Sequence, residues 1–298
     1  MAERIDRTVP WSFAPPRAEA LLARRKELRR WGLPFEAVLI PRRAARAHVP
    51  GTGRPAFLPD HGSRIRRDEA LHDDDLVAAT PNRFPFFARQ VLLWPSTGFA
   101  REPDPAWLAR CLDLCAAWGG SLLMNSIGAS ASIPLAHAHL ADERSAVLDA
   151  WPLVDVPGAD GGPARVGGDD GPVLRAGDPD AGPPVLLVVL DGGATEARAR
   201  VACRLLQLRS FPSHHLLAQG DRLWLVPRSR EIVAEAAPWA IGGAELWGRF
   251  VFPDEESYDA FDERRLGLAL AGACRPASVA ELAALEALAA DPRQLSGG

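Results

Sequence analysis

Apolar positions recur along this chain with two periods, and the alternation between them sketches its elements. RAEALLARRKELRRWG, residues 17–32, sets Leu21, Leu22 and Leu28 on one side of a basic remainder, which predicts an amphipathic helix stopped by Gly32 and Pro34. FEAVLI then predicts a strand, and the polar stretch 50–75, whose charge changes sign along RIRRDEALHDDD, a loop or flap. LVAATP, NRFPFF and RQVLLWP predict strands joined by a turn, and Asp104 to Trp118 a helix with a proline in its first turn. GGSLLMNS and IPLAHAHL predict two further strands. Residues 156–184, rich in glycine, proline and aspartate, predict a linker or long surface loop. Beyond them come an apolar strand (VLLVVLD), a helix (TEARARVACRLLQLRS), a hairpin turning at Gly220 and Asp221 (HHLLAQGDRLWLVPRS) and a closing helix, SVAELAALEALAADPR.

The two halves share this element order, and each carries an apolar strand running into proline, VLLWPS and LWLVPRS. The pattern predicts an α+β chain with a duplicated unit of antiparallel sheet flanked by helices. Its divisions are 1–75 (helix, strand and flap), 76–155 (first half), 156–184 (linker) and 185–298 (second half with its closing helix).

Composition narrows the function. With 298 residues, 47% of them apolar, the chain has ample material for a core. A formal charge of −4 supplies no global field for nucleic acid, so a small phosphorylated ligand fits better than a duplex. The sequence contains no apolar run of the ~18 residues that a membrane span needs, and MAERIDRTVPW lacks the apolar core of a signal peptide; both point to the cytoplasm. Arg24, Arg25, Lys26, Arg29 and Arg30 read as a solvated helix face. The four cysteines read as free thiols, Cys111 and Cys115 sharing one helix face.

Reactive side chains and small, anion-cradling residues coincide in one place, NSIGASASIPLAHAH, from Asn125 to His139. On a strand the period of two turns Leu135, His137 and His139 to one face. Gly128, Ala129, Ser130, Ala131 and Ser132 offer backbone N–H groups that can close around an anion, with the serine hydroxyls as further donors. A neutral imidazole facing such a nest is a nucleophile toward phosphorus. The other assembly these residue types permit is a zinc site of His137, His139, Cys111 and Cys115. His214 and His215 are adjacent, would face opposite ways in a strand, and read as one core and one surface residue. Trp94, Trp118, Trp224, Trp239 and Trp247 read as core.

On these residues the chain resembles the histidine-triad (HIT-like) superfamily, in the branch of GDP-L-galactose phosphorylase, diadenosine tetraphosphate phosphorylase and galactose-1-phosphate uridylyltransferase. NSIGASASIPLAHAHL is similar to the branch's active-site segment NSLGAFATINHLHFQ. NRFP is similar to its nucleotide-pocket segment NKFP, RLWLVPR to LLLVPR, and AELWGRFVF to WEISGHMVL. Aligning Ser132 and Pro134 places Leu135, His137 and His139 at the three motif positions, so the resemblance implies His137 as nucleophile. A register slipped by two would make it His139, with Ala141 third, but needs an insertion. Leu135 replaces the first motif histidine, and Gln90 a histidine common in the upstream segment.

The resemblance implies a nucleotidyl transferase or phosphorylase that attacks the α-phosphorus of a dinucleoside polyphosphate or nucleotide sugar and passes the nucleotide to phosphate, a sugar phosphate or water. No bound cofactor is required, Mg²⁺ arriving at most with the nucleotide. His139 and Ser132 would assist His137. Asn82, Phe84, Asn125, Ser126, Gly128, Ser130 and Arg228 would contact nucleotide or phosphate. Protonation of His137 would remove its lone pair and slow the reaction. Leu135 and Gln90 also admit a non-catalytic nucleotide-binding relative.

Overall fold

The computed structural model describes residues 23–41, 69–82, 85–98, 100–126, 128–131, 135–167, 170–207, 213–230, 232–277, 283 and 287. Its elements in chain order are β1 (Arg24–Arg30), β2 (Leu33–Leu39), β3 (His72–Asp73), β4 (Val77–Pro81), β5 (Gln90–Pro95), α1 (Pro105–Trp118), β6 (Ser121–Asn125), β7 (Ala138–Ala141), α2 (Ala146–Ala150), β8 (Leu153–Asp155), β9 (Val173–Gly177) and β10 (Val188–Asp191). There follow α3 (Thr195–Leu206), β11 (His214–Gln219), β12 (Arg222–Pro227), β13 (Ile232–Val233), β14 (Ala237–Ala240), α4 (Gly243–Trp247), β15 (Arg249–Phe252), α5 (Glu255–Ala260) and α6 (Glu263–Ala273).

Ten strands form one antiparallel sheet in the order β3-β4-β5-β7-β6-β11-β12-β10-β9-β8. The order is its own mirror. From either edge to the centre, three strands in sequence precede a helix, and the two strands after the helix fill the inner places. The duplicated α+β unit is therefore real in topology, with β6 and β11 pairing at the join.

Two cores cover the faces. On one, α1 and α3 pack together over Val91, Leu93, Leu122, Ala138, Leu216 and Leu225. Asp104 caps α1 by accepting from the Trp107 N–H at 2.9 Å, Pro105 opens its first turn, and Gly119 ends it with φ +70°. The other face bears Leu123, Leu217, Trp224 and Val226, covered by a small sheet, β1-β2-β15, and by α6.

Four expectations are corrected. The helix expected over 17–32 is, in its described part, the edge strand β1, paired residue for residue with β2. Trp31 (φ 51°) and Gly32 (φ 74°) form the two-residue turn between paired Arg30 and Leu33, the arrangement that suits the twist of a hairpin. The basic residues have partners that local periodicity does not register: Arg25 meets Glu36 at 2.7 Å, Arg24 meets Asp259 at 2.8 Å, and both Arg24 and Lys26 lie over the Tyr258 ring. A charged edge also discourages pairing with further strands. Of NRFPFF, the described part is a bend, its Phe86 and Phe87 buried beneath the small sheet. Residues 156–184 are not a linker throughout, since β9 pairs with β10 and buries Leu174 and Ala176. The polar flap over 50–75 ends in β3, which pairs with β4. The closing helix expected over 278–293 lies outside the described residues apart from two positions.

Gly32→Ala adds a Cβ that meets nothing within 4 Å, so its cost is left-handed strain alone, about 1 kcal/mol. The expected result is a lower urea midpoint at unchanged slope.

Candidate active site

His137 and His139 share the sheet face opposite α1, their ring centroids 5.5 Å apart. The strand supports only one of them directly, because β7 begins at Ala138 and His137 precedes it. In the described part of the expected strand IPLAHAHL, strand pairing begins only at Ala138. Continuing the β5–β7 register by one residue sets His137 opposite Trp94, and the two rings stack at 5.3 Å and 23°. The Trp94 indole N–H donates to Thr80 Oγ1 at 2.8 Å, which fixes the ring plane that the imidazole lies on. Trp94, read as a core residue, is buried and forms a wall of this site.

Hydrogen bonds give the two imidazoles opposite tautomers. His137 Nδ1 lies 2.8 Å from the Leu135 carbonyl oxygen. A carbonyl only accepts, so Nδ1 carries the proton and Nε2 the lone pair. The side chain at 135 takes no part in this hydrogen bond. His139 Nδ1 lies 2.9 Å from Gln90 Nε2, and Gln90 Oε1 accepts the Phe86 N–H at 2.9 Å. The Gln90 amide is thereby oriented with its NH₂ toward the ring, so His139 accepts at Nδ1 and carries its proton on Nε2.

Behind Phe86 stands Arg249 on β15, its side chain 3% exposed. Its guanidinium donates to the Phe86 carbonyl at 2.7 Å, pairs with Glu143 at 2.6 Å and with Glu36, and lies over the rings of Phe87 and Trp247. Burial alone would lower its pKa, but the two carboxylates hold it above the ordinary arginine value. Periodicity did not single out Arg249, because its partners come from β2, the Phe86 bend and the residues after β7.

Asn125, Ser126, Gly128 and Ser130 frame the join between the halves. Ser126 Oγ accepts the His214 N–H at 2.7 Å. Asn125 Oδ1 accepts from the Gly243 N–H at 2.9 Å and from His215 Nδ1 at 2.7 Å. Gly128 and Ser130 take left-handed φ values of 81° and 70°, and Ser130 lies against Gly242. The Gly242 N–H donates to Glu245 Oε2 at 2.7 Å, a cap at the start of α4 that gives this glutamate its role.

Asn82 is buried and its N–H closes the β4–β5 turn onto the Gln90 carbonyl at 3.2 Å. Arg228 is buried at the end of β12, its guanidinium donating to the Arg230 carbonyl at 2.6 Å. Phe84 and Ser132 lie outside the described residues. His214 and His215 do face opposite ways, but both are buried, which corrects the reading of one as a surface residue. The zinc arrangement fails on topology. Cys111 and Cys115 are buried residues of α1 itself, on the helix side of the sheet, the histidines lie on the other side, and no metal-binding cluster occurs among the described residues.

No family model and no curated protein matches the sequence. Among solved structures, yeast Ap4A phosphorylase Apa2 in complex with Ap4A superposes with a TM-score of 0.61 at 14% identity, covering 85% of this chain and 90% of that one. The same yeast enzyme in complex with AMP gives 0.60 at 16% identity, covering 86% of this chain and 89% of that one.

Two outcomes test this geometry. Arg249→Met leaves two carboxylates without their cation and should cost about 3 kcal/mol or more in denaturant unfolding, with no rescue by lysine, which lacks the planar fork. Gln90→Glu replaces the NH₂ donor with an acceptor, so ¹⁵N spectra of the labelled histidines should show the His139 proton on Nδ1. The chain has an α+β fold with a duplicated unit, and that fold is the one seen in yeast Ap4A phosphorylase Apa2.

Proposed function

We propose that this chain is a nucleotidyl transferase of the phosphorylase type that works through a nucleotidyl-histidine at His137. The observation that carries this reading is the pair of opposed tautomers on one sheet face. Attack on phosphorus needs an imidazole lone pair, and stabilising the phosphoryl oxygens needs N–H donors. His137 Nε2 offers the first and His139 Nε2–H the second.

In the first displacement the Nε2 lone pair forms a bond to the α-phosphorus and the bond to the leaving phosphate oxygen breaks. The leaving group departs as an anion, and the ring becomes a cation with Nδ1–H still donating to the Leu135 carbonyl. That hydrogen bond strengthens as positive charge develops. In the second, an oxygen of phosphate or of a sugar phosphate attacks the same phosphorus, the P–N bond breaks, and the lone pair returns to Nε2. His139 donates to a phosphoryl oxygen in both steps.

The fold match is to a protein seen with Ap4A and AMP. That supports a dinucleoside polyphosphate or nucleotide sugar as the substrate class, with phosphate or a sugar phosphate as co-substrate. The double displacement calls for no redox group or resident cofactor.

The test is intact-protein mass spectrometry after mixing with diadenosine tetraphosphate, GDP-hexoses or UDP-glucose and quenching at alkaline pH. A nucleotide-sized adduct is expected on wild type and none on His137→Ala. His139→Ala should still form it, about 100-fold more slowly, the usual consequence of removing one phosphoryl-stabilising donor. An adduct that survives His137→Ala would move the nucleophile elsewhere.

A further inference from the structure

His215 belongs to the second half of the chain, yet it is tied to the first half's active strand. It is fully buried on β11, opposite Asn125 of β6 on the same sheet face. Continuing the β6–β7 register by one residue places Asn125 beside His137. The row across the sheet therefore reads Trp94, His137, Asn125, His215, with neighbouring strands about 4.8 Å apart.

The Asn125 amide in the middle of this row has its oxygen spoken for. Oδ1 takes the Gly243 N–H at 2.9 Å and His215 Nδ1 at 2.7 Å. The Gly243 N–H can only donate, so it decides the amide's orientation, and His215 Nδ1, facing the same oxygen, is then the ring nitrogen that carries the proton. With Oδ1 toward β11 and α4, Nδ2 and its two hydrogens turn the other way, to the side where His137 stands. A Cβ on residue 243 would come within 2.9 Å of Oδ1, so glycine there lets the backbone N–H reach the amide.

We propose that His215 is a positioning residue for phosphoryl transfer: with the Gly243 N–H it orients the Asn125 amide so that its NH₂ group meets a phosphoryl oxygen of the nucleotide beside His137. The assignment rests on the nucleotidyl-transfer reading above and deepens it, since it makes the second half a contributor to the first half's site. His215 donates from Nδ1 at neutral pH because its ring stays neutral in the same tautomer: burial, then the charges of Arg228 and His214, hold its pKa well below 6.5. Among the described residues no acceptor lies within hydrogen-bond reach of its Nε2, whereas Asn125 Oδ1 faces Nδ1, so the proton sits on the nitrogen facing Asn125.

The test pairs a kinetic cycle with a spectrum. Rates of adduct formation are measured by rapid quench, with diadenosine tetraphosphate and UDP-glucose as probes, for wild type, His215→Phe, Asn125→Ala and the double variant. Each single change should slow adduct formation about 100-fold with the concentration for half-saturation nearly unchanged, and the double variant should be no slower than either. His215→Asn, whose own amide N–H can replace Nδ1–H, should recover most of the rate; a histidine needed only for packing would be replaced better by phenylalanine. In ¹⁵N-histidine spectra of the unliganded wild type, His215 should carry its proton on Nδ1, a readout that requires neither turnover nor a folded variant. Costs that add in the double variant, phenylalanine matching wild type, or a proton on Nε2 would each overturn the assignment while leaving His137 in place. Wild type that forms no adduct with either probe would remove the assignment together with the reading it rests on.

Discussion

The buried guanidinium of Arg249 is the interaction on which the arrangement of this molecule turns. It sits between the small sheet and the large one, neutralised by Glu36 on β2 and by Glu143 beyond β7. Its hydrogen bond to the Phe86 carbonyl carries the consequence forward. The Phe86 peptide presents its N–H to Gln90, and Gln90 presents its NH₂ to His139. A charge that steadies the packing of two sheets thus also orients, three groups away, the imidazole of the candidate site. Such a cation is costly to bury unless every partner is in place, so any looseness in the small sheet would be felt at His139.

The site itself depends on which atoms stand next to the two imidazoles. A backbone carbonyl and a side-chain amide, both within 3 Å, divide two chemically identical rings into an acceptor and a donor. The carbonyl is supplied whatever residue occupies position 135, and Gln90 offers His139 the NH₂ donor that its Nδ1 accepts.

Duplication gave the chain two similar halves, and the cross-strand register shows how far they have diverged. In the row through the centre of the sheet, His139 stands one strand out from Leu123, and Trp224 stands one strand out from Leu217. The second half presents a large apolar ring where the first presents an imidazole. Its contribution comes instead from the join, where β11 brings His214 and His215 against Ser126 and Asn125.

Much of this was legible in the chain itself. The helix behind Asp104 and Pro105, the hairpin at Gly220–Asp221, the duplicated order of elements and the shared face of His137 and His139 all follow from local rules of capping, turn chemistry and side-chain alternation. The strand β1 did not follow, because a run rich in leucine and arginine satisfies a helix period equally well. Pairing with β2, the carboxylates of Glu36 and Asp259 and the ring of Tyr258 decided the matter. Nor could the sequence reveal that Arg249 would be buried, that β9 would emerge from a glycine-rich stretch, or which nitrogen of each histidine would hold its proton. Residue types and spacings determined which groups were available for chemistry and roughly which face they would share. Hydrogen-bond partners distant in sequence decided their protonation and aim, because a tautomer is set by the atom that lies within 3 Å, and only the folded chain places that atom there.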